Sequence, residues 1–129
     1  MSSKGRVIYS ILIIGGEPTL RRELTAALAE AVFDVADIPD YFEALWKLGE
    51  FKPDLLIVDE ELALVDGREA CYWLHQTLGI PIILLGRDLA SEAWPRAVEA
   101  GADFYLRVPF AHEELAARVK AILRRYKKD

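Results

Sequence analysis

The sequence predicts an α/β domain, with a doubly wound five-stranded parallel sheet in the order 2-1-3-4-5 and helices on both faces. Three observations carry this. Short apolar runs such as ILII, LLIV and IILL lack the polar alternation of a sheet with one wet face, so they read as strands buried on both sides. Longer amphipathic segments separate them, and that alternation is the pattern of repeated βα units. At 129 residues, 53% apolar and 29% charged, the chain has the length of one domain and the side chains for a core.

The first strand is expected at 8–14, ending in ILIIGGEP, and Pro18 then stands where a first-turn proline is tolerated. Helix 19–31 follows, with Leu20, Leu24, Ala27, Leu28 and Ala31 at helical spacing. A weaker strand at 33–38 leads to a helix at 41–49, then a strand at 55–58 and a helix at 68–78. The fourth strand, 82–85, precedes a helix at 92–100 that contains Pro95. With Ser91 as N-cap, that proline falls in the first turn, whose N–H groups have no intrahelical acceptor. Gly101 closes the helix, a fifth strand occupies 103–108, and a last helix covers 112–126. The domain is therefore placed at 1–126, with 127–129 as the start of a linker or basic tail.

A net charge of −5 argues against a protein that coats nucleic acid, and no direct nucleic-acid contact by this domain is expected. The charge is uneven. From residue 118 onward six basic residues (Arg118, Lys120, Arg124, Arg125, Lys127, Lys128) oppose one acid, Asp129, giving +5 there and −10 in the rest. Such an end reads as a solvated helix face running into a linker, with direct contact to an acidic or nucleic-acid partner as the alternative. Lone Cys71 cannot form an internal disulfide, and YWLH beside it places it on a helix, which fits a reducing cytoplasm. No apolar run reaches membrane-spanning length and no secretory signal opens the chain, so no membrane partner is expected.

In doubly wound sheets ligands sit beyond the carboxyl ends of the strands. That edge collects Gly15, Gly16 and Glu17 after strand 1, Asp59, Glu60 and Glu61 after strand 3, Gly86 and Arg87 after strand 4, and Val108 with Pro109 after strand 5. The glycine pair lacks the G-x-G-x-x-G spacing of a dinucleotide loop, and Pro18 removes a backbone donor, so a phosphate cradle is not favoured. A carboxylate at a strand end needs a partner, and Arg87 is the expected one. Arg107 points to the face opposite Val108. Trp46 and Trp73 are expected to pack partly into the core, and His75 and His112 belong to no ligand cluster.

In order and spacing, ILIIGGEP, KPDLLIVDE, the DG at 66–67, IPIILLG and EAGADFYLRVPF resemble the receiver domain of bacterial two-component response regulators, which has this flavodoxin-like (βα)5 fold. The resemblance runs from about residue 10 to 126, and it is nearest to winged-helix-class regulators. It implies a cytoplasmic signalling domain, not an enzyme, with Asp59 at the phosphoacceptor position. In that family transfer uses Mg²⁺ held by the aspartate and two acids after strand 1, a Ser or Thr ending strand 4, and a Lys before a cis proline. Here the acids are Gly15 and Gly16, the hydroxyl position is Gly86 and the lysine position is Val108, followed by Pro109. Glu17 matches only an auxiliary acid.

The resemblance thus implies an atypical, pseudo-receiver subtype with no catalytic residues and with Mg²⁺ binding lost. It also implies that Tyr105, at the position of the family's switching aromatic, is fixed or uncoupled from Asp59. Trp94, Asp103, Phe104 and Arg118 fall on the helix 4–strand 5–helix 5 face through which many receivers pair, so a homodimer is expected there. The ending is similar to regulators that continue into a winged-helix DNA-binding effector, absent from this chain. A conventional phospho-accepting switch at Asp59 and a small flavodoxin-like ligand-binding module are the alternatives.

Overall fold

The structure, a computed structural model, describes residues 8–126; the predicted linker or tail at 127–129 lies outside them. β1 (Ser10–Ile14), α1 (Pro18–Glu30), β2 (Asp34–Ile38), α2 (Tyr41–Lys47) and β3 (Leu55–Asp59) open the fold. α3 (Gly67–Leu78), β4 (Ile82–Gly86), α4 (Ala93–Glu99), β5 (Phe104–Arg107) and α5 (His112–Tyr126) complete it. The strands are all parallel and ordered β2-β1-β3-β4-β5, as the sequence predicts. Ile14 pairs with Val58 and Asp59 with Leu85, so the ends of β1, β3 and β4 come level at one edge.

Strand alternation divides the core in two. Ile11, Ile13, Leu55, Ile57, Ile83, Leu85 and Leu106 pack under α1 and α5 against Leu24, Leu28, Leu115, Val119 and Ile122. Leu12, Ile14, Leu56, Val58, Ile82, Leu84 and Tyr105 pack under α2, α3 and α4 against Ala44, Cys71, Leu74 and Ala97. Each fully buried Leu or Ile brings about 1.5–3 kcal/mol of apolar burial, and in β3 no polar residue precedes Asp59.

The structure corrects several local expectations. Ser91 is not the N-cap of α4: Glu92 holds that place in helical conformation without a side-chain cap. The turn before it is closed instead by Ala93 N–H on Ala90 O at 3.1 Å and by Ala90 N–H on the Asp88 carboxylate at 2.9 Å. Pro95 still falls in the first turn. β1 starts two residues later than expected, and α2 ends at Lys47. Trp46 and Trp73 are not core residues, at 84% and 57% exposed. Helix phase explains this: the buried position of α2 is Ala44 and those of α3 are Gly67, Ala70, Cys71 and Leu74, and each tryptophan lies off that stripe. No helix among the described residues is long and apolar enough to cross a membrane.

Candidate functional site

Asp59 ends β3 and is 1% exposed, the one buried charged residue among those described. Its Oδ1 accepts the Glu61 N–H at 2.8 Å and Arg87 Nη1 at 3.1 Å, and its Oδ2 accepts Nη2 at 3.2 Å. The pair the sequence anticipates is therefore bidentate, the fork geometry that suits guanidinium and carboxylate. Arg87 Nη1 also lies 3.6 Å from Glu61 Oε1. The hydrogen bond to Asp59, followed by the charges of Asp59, Glu61 and Glu17, pushes the Arg87 pKa above its ordinary value. Arg107 is exposed and takes no part in the Asp59 bonds.

Gly15 and Gly16 have φ of +88° and +89°, a region that side-chain-bearing L-residues rarely adopt. A Cβ on Gly15 would overlap Leu62, which covers it, and one on Gly16 would come 3.2 Å from Asp59 Oδ2. The Gly16 carbonyl accepts Arg21 Nη1 at 2.6 Å, and Arg21 is paired with Asp37 at 3.0 Å. Glu17 is exposed at the head of α1.

Gly86 ends β4 and is buried against Tyr105: a Cβ there would overlap the Tyr105 hydroxyl and Glu60 Oε1. Tyr105 is turned inward, its hydroxyl donating to Glu60 at 2.9 Å and accepting from the Asp88 N–H at 3.1 Å. Burial, with Glu60 beside it, pushes the phenol pKa up. Val108 is half-buried against the α1–α5 core, donates its N–H to Gly86 O at 2.9 Å, and precedes Pro109 through a cis peptide bond.

At the far end of β5, Phe104 stacks edge-on to Trp94 at 5.2 Å, and the Arg118 guanidinium lies over its ring at 4.2 Å. Three of the four residues predicted for the pairing face thus form one stack across α4, β5 and α5. Asp103 is engaged within the chain, accepting Ile82 N–H at 3.0 Å and the Tyr126 hydroxyl at 2.7 Å. A cavity of about 480 Å³ opens beside this stack, between Leu89, Trp94, Tyr105 and Glu114.

Comparison with known proteins decides the family. The family model of the response regulator receiver domain matches residues 11–120. This chain belongs to the response regulator receiver family. Its 115 residues aligned with the "DNA-binding response regulator MtrA" of Mycolicibacterium smegmatis are 37% identical, covering 89% of this chain and 50% of that protein. The "Response regulator MprA" of Mycobacterium leprae is 39% identical over 121 residues, 92% of this chain and 53% of that one. The receiver therefore spans about half the length of these curated relatives. A crystal structure of a two-component response regulator from Clostridium difficile superposes with a TM-score of 0.87 at 30% identity, covering 93% of this chain and 99% of that one.

Receiver chemistry implies Mg²⁺, and the residues of this receiver do not fit it. A hard cation wants several oxygen ligands, yet Gly15 and Gly16 offer no carboxylate, and both Asp59 oxygens already carry guanidinium N–H groups. Among the described residues no three His, Cys, Asp or Glu groups converge as a metal site. The structure thus brings Asp59, Arg87, Gly15, Gly16 and Gly86 to one edge, with Glu17 exposed beside them and His75 and His112 elsewhere. Sequence reasoning placed Glu60 at this edge without foreseeing its bond to Tyr105, and it missed Leu62. Their proximity to Asp59 in the chain was the available signal, but the path of the β3–α3 loop decides where they point.

Proposed function

We propose that this receiver signals without phosphorylation, through protein–protein contacts, and that Mg²⁺ binding is lost. One observation carries the reading: the buried Asp59 carboxylate is occupied at both oxygens by Arg87. A phosphoryl group arriving there would meet no hydroxyl from position 86 and no ammonium from position 108, and the one cation at the site, Arg87, is already committed to the Asp59 oxygens. Pairing of two copies through the Trp94–Phe104–Arg118 stack is the proposed contact. In a longer polypeptide, a DNA-binding part like that named for the MtrA relative would carry transcriptional control.

A second reading, a conventional phospho-accepting switch at Asp59, is favoured by relatives at 37–39% identity whose names give them as response regulators. The two separate on titration with beryllofluoride and Mg²⁺, followed by tryptophan fluorescence and amide shifts near Asp59. No saturable response is expected; a saturable, Mg²⁺-dependent one establishes the second reading. For the pairing face, sedimentation of wild type and Arg118→Glu is expected to show a concentration-dependent dimer only in the former. A monomer in both removes the proposed contact.

A further inference from the structure

Three segments of the chain meet at one phenol. Tyr105 of β5 is 8% exposed, and its hydroxyl joins Glu60 of the β3–α3 loop to the backbone of Asp88 in the β4–α4 segment. That segment is closed further on, because the Asp88 carboxylate takes the Ala90 N–H at 2.9 Å and Arg96 of α4 at 2.7 Å. Glu60 is itself held: its N–H donates to Leu85 O at 2.7 Å and its carbonyl accepts from Gly67 N–H at 3.1 Å. A side chain at position 86 would enter the space that the phenol and the Glu60 carboxylate share.

We infer that Glu60, acting across the bare position 86, is a positioning residue that latches Tyr105 inward and so fixes the β4–α4 segment in one conformation without ligand or modification. A ring with two available positions settles in one of them only when some contact distinguishes the two. In this chain the distinguishing contact is built in: a phenol-to-carboxylate hydrogen bond, stronger than a neutral one, in a half-buried site. The inference rests on the phosphorylation-independent reading, since it makes the inward ring a constant and not the readout of Asp59 chemistry. It also gives the cavity beside Trp94 a fixed wall, because Tyr105 and Asp88 both line it.

The test is NMR on the ligand-free domain with Glu60→Ala, Glu60→Gln and Tyr105→Phe. In wild type an Overhauser contact between the Tyr105 ring and the Gly86 Cα protons is expected, with no microsecond-to-millisecond exchange at the amides of Asp88, Leu89 and Ala90. Glu60→Ala is expected to weaken that contact and bring exchange to those three amides. Glu60→Gln, whose amide oxygen still accepts the phenol proton, should restore wild-type behaviour, and Tyr105→Phe should show the exchange. An undiminished contact and quiet amides in Glu60→Ala overturn the latch, as does exchange already present in wild type. Urea midpoints recorded alongside identify a purely structural role: loss of stability in Glu60→Ala without local exchange also refutes it. A saturable beryllofluoride response would overturn the underlying reading by a different measurement, so the two failures are distinguishable.

Discussion

A carboxylate that is 1% exposed must have its charge met inside the fold, and Arg87 does this for Asp59 while remaining 36% exposed itself. Removing the arginine strands the carboxylate with the Glu61 N–H alone. Arg87→Ala is therefore expected to lower stability by about 1–3 kcal/mol, less than a fully buried pair would because solvent reaches the guanidinium. Adding Asp59→Asn to that variant should recover part of the loss, since the stranded charge goes with it. Urea unfolding of the four members of the cycle measures the coupling; purely additive losses would mean the pair is decorative. This contact was legible in the sequence, because residues just past the ends of adjacent strands share an edge. The Tyr105–Glu60 bond was not: it joins residues 45 apart, and only the course of the loop after Asp59 brings the carboxylate over Gly86.

At the scale of elements, the strands were the most readable part and the helix ends the least. Runs such as LLIV admit one burial pattern, whereas an end depends on which group closes the turn. Asp66 caps α3 through its carboxylate on the Arg68 N–H at 2.8 Å, the kind of signal that sequence carries, while α4 begins without any side-chain cap. Placing Trp46 and Trp73 in the core failed for a related reason: a tryptophan on a helix is apolar on either face, and phase set by Ala44 and Leu74 turns both outward. The inner face of α3 offers its own test. Cys71 is buried there, and burial pushes its thiol up to about 12, the charge of Asp103 adding to the effect. A disulfide reagent near pH 8 should label it only as fast as the domain opens, with denaturant accelerating the reaction in step with unfolding. Rapid labelling of the folded domain would show that α3 is not seated as described.

For the molecule as a whole, the last helix is tied to the sheet through the Tyr126 hydroxyl on Asp103, the same aspartate that accepts from the first residue of β4. Burial and then Asp103 raise the Tyr126 pKa from 10.0 to about 12. An acid that holds its proton more tightly when folded contributes stability fully below its unfolded pKa and loses it as pH rises through the folded one. The contribution is thus complete below about pH 10 and gone above about pH 12. Urea midpoints of wild type should fall more steeply across that window than those of Tyr126→Phe, and parallel curves would mean the bond does not anchor α5.

The way the pocket is filled also bears on whether metal and phosphoryl ligands could be introduced there by substitution. At Gly15 the space belongs to Leu62, at Gly86 to Tyr105 and Glu60, and at the Asp59 carboxylate to Arg87. A side chain at position 15 or 86 meets an occupant, and at residues 15 and 16 it also meets a backbone turned the wrong way. A carboxylate at position 15 or a hydroxyl at position 86 therefore requires Leu62, or Tyr105 and Glu60, to move aside first. In that sense the glycines are coupled positions: a side chain placed at one of them demands a compensating change in the residue that fills its space.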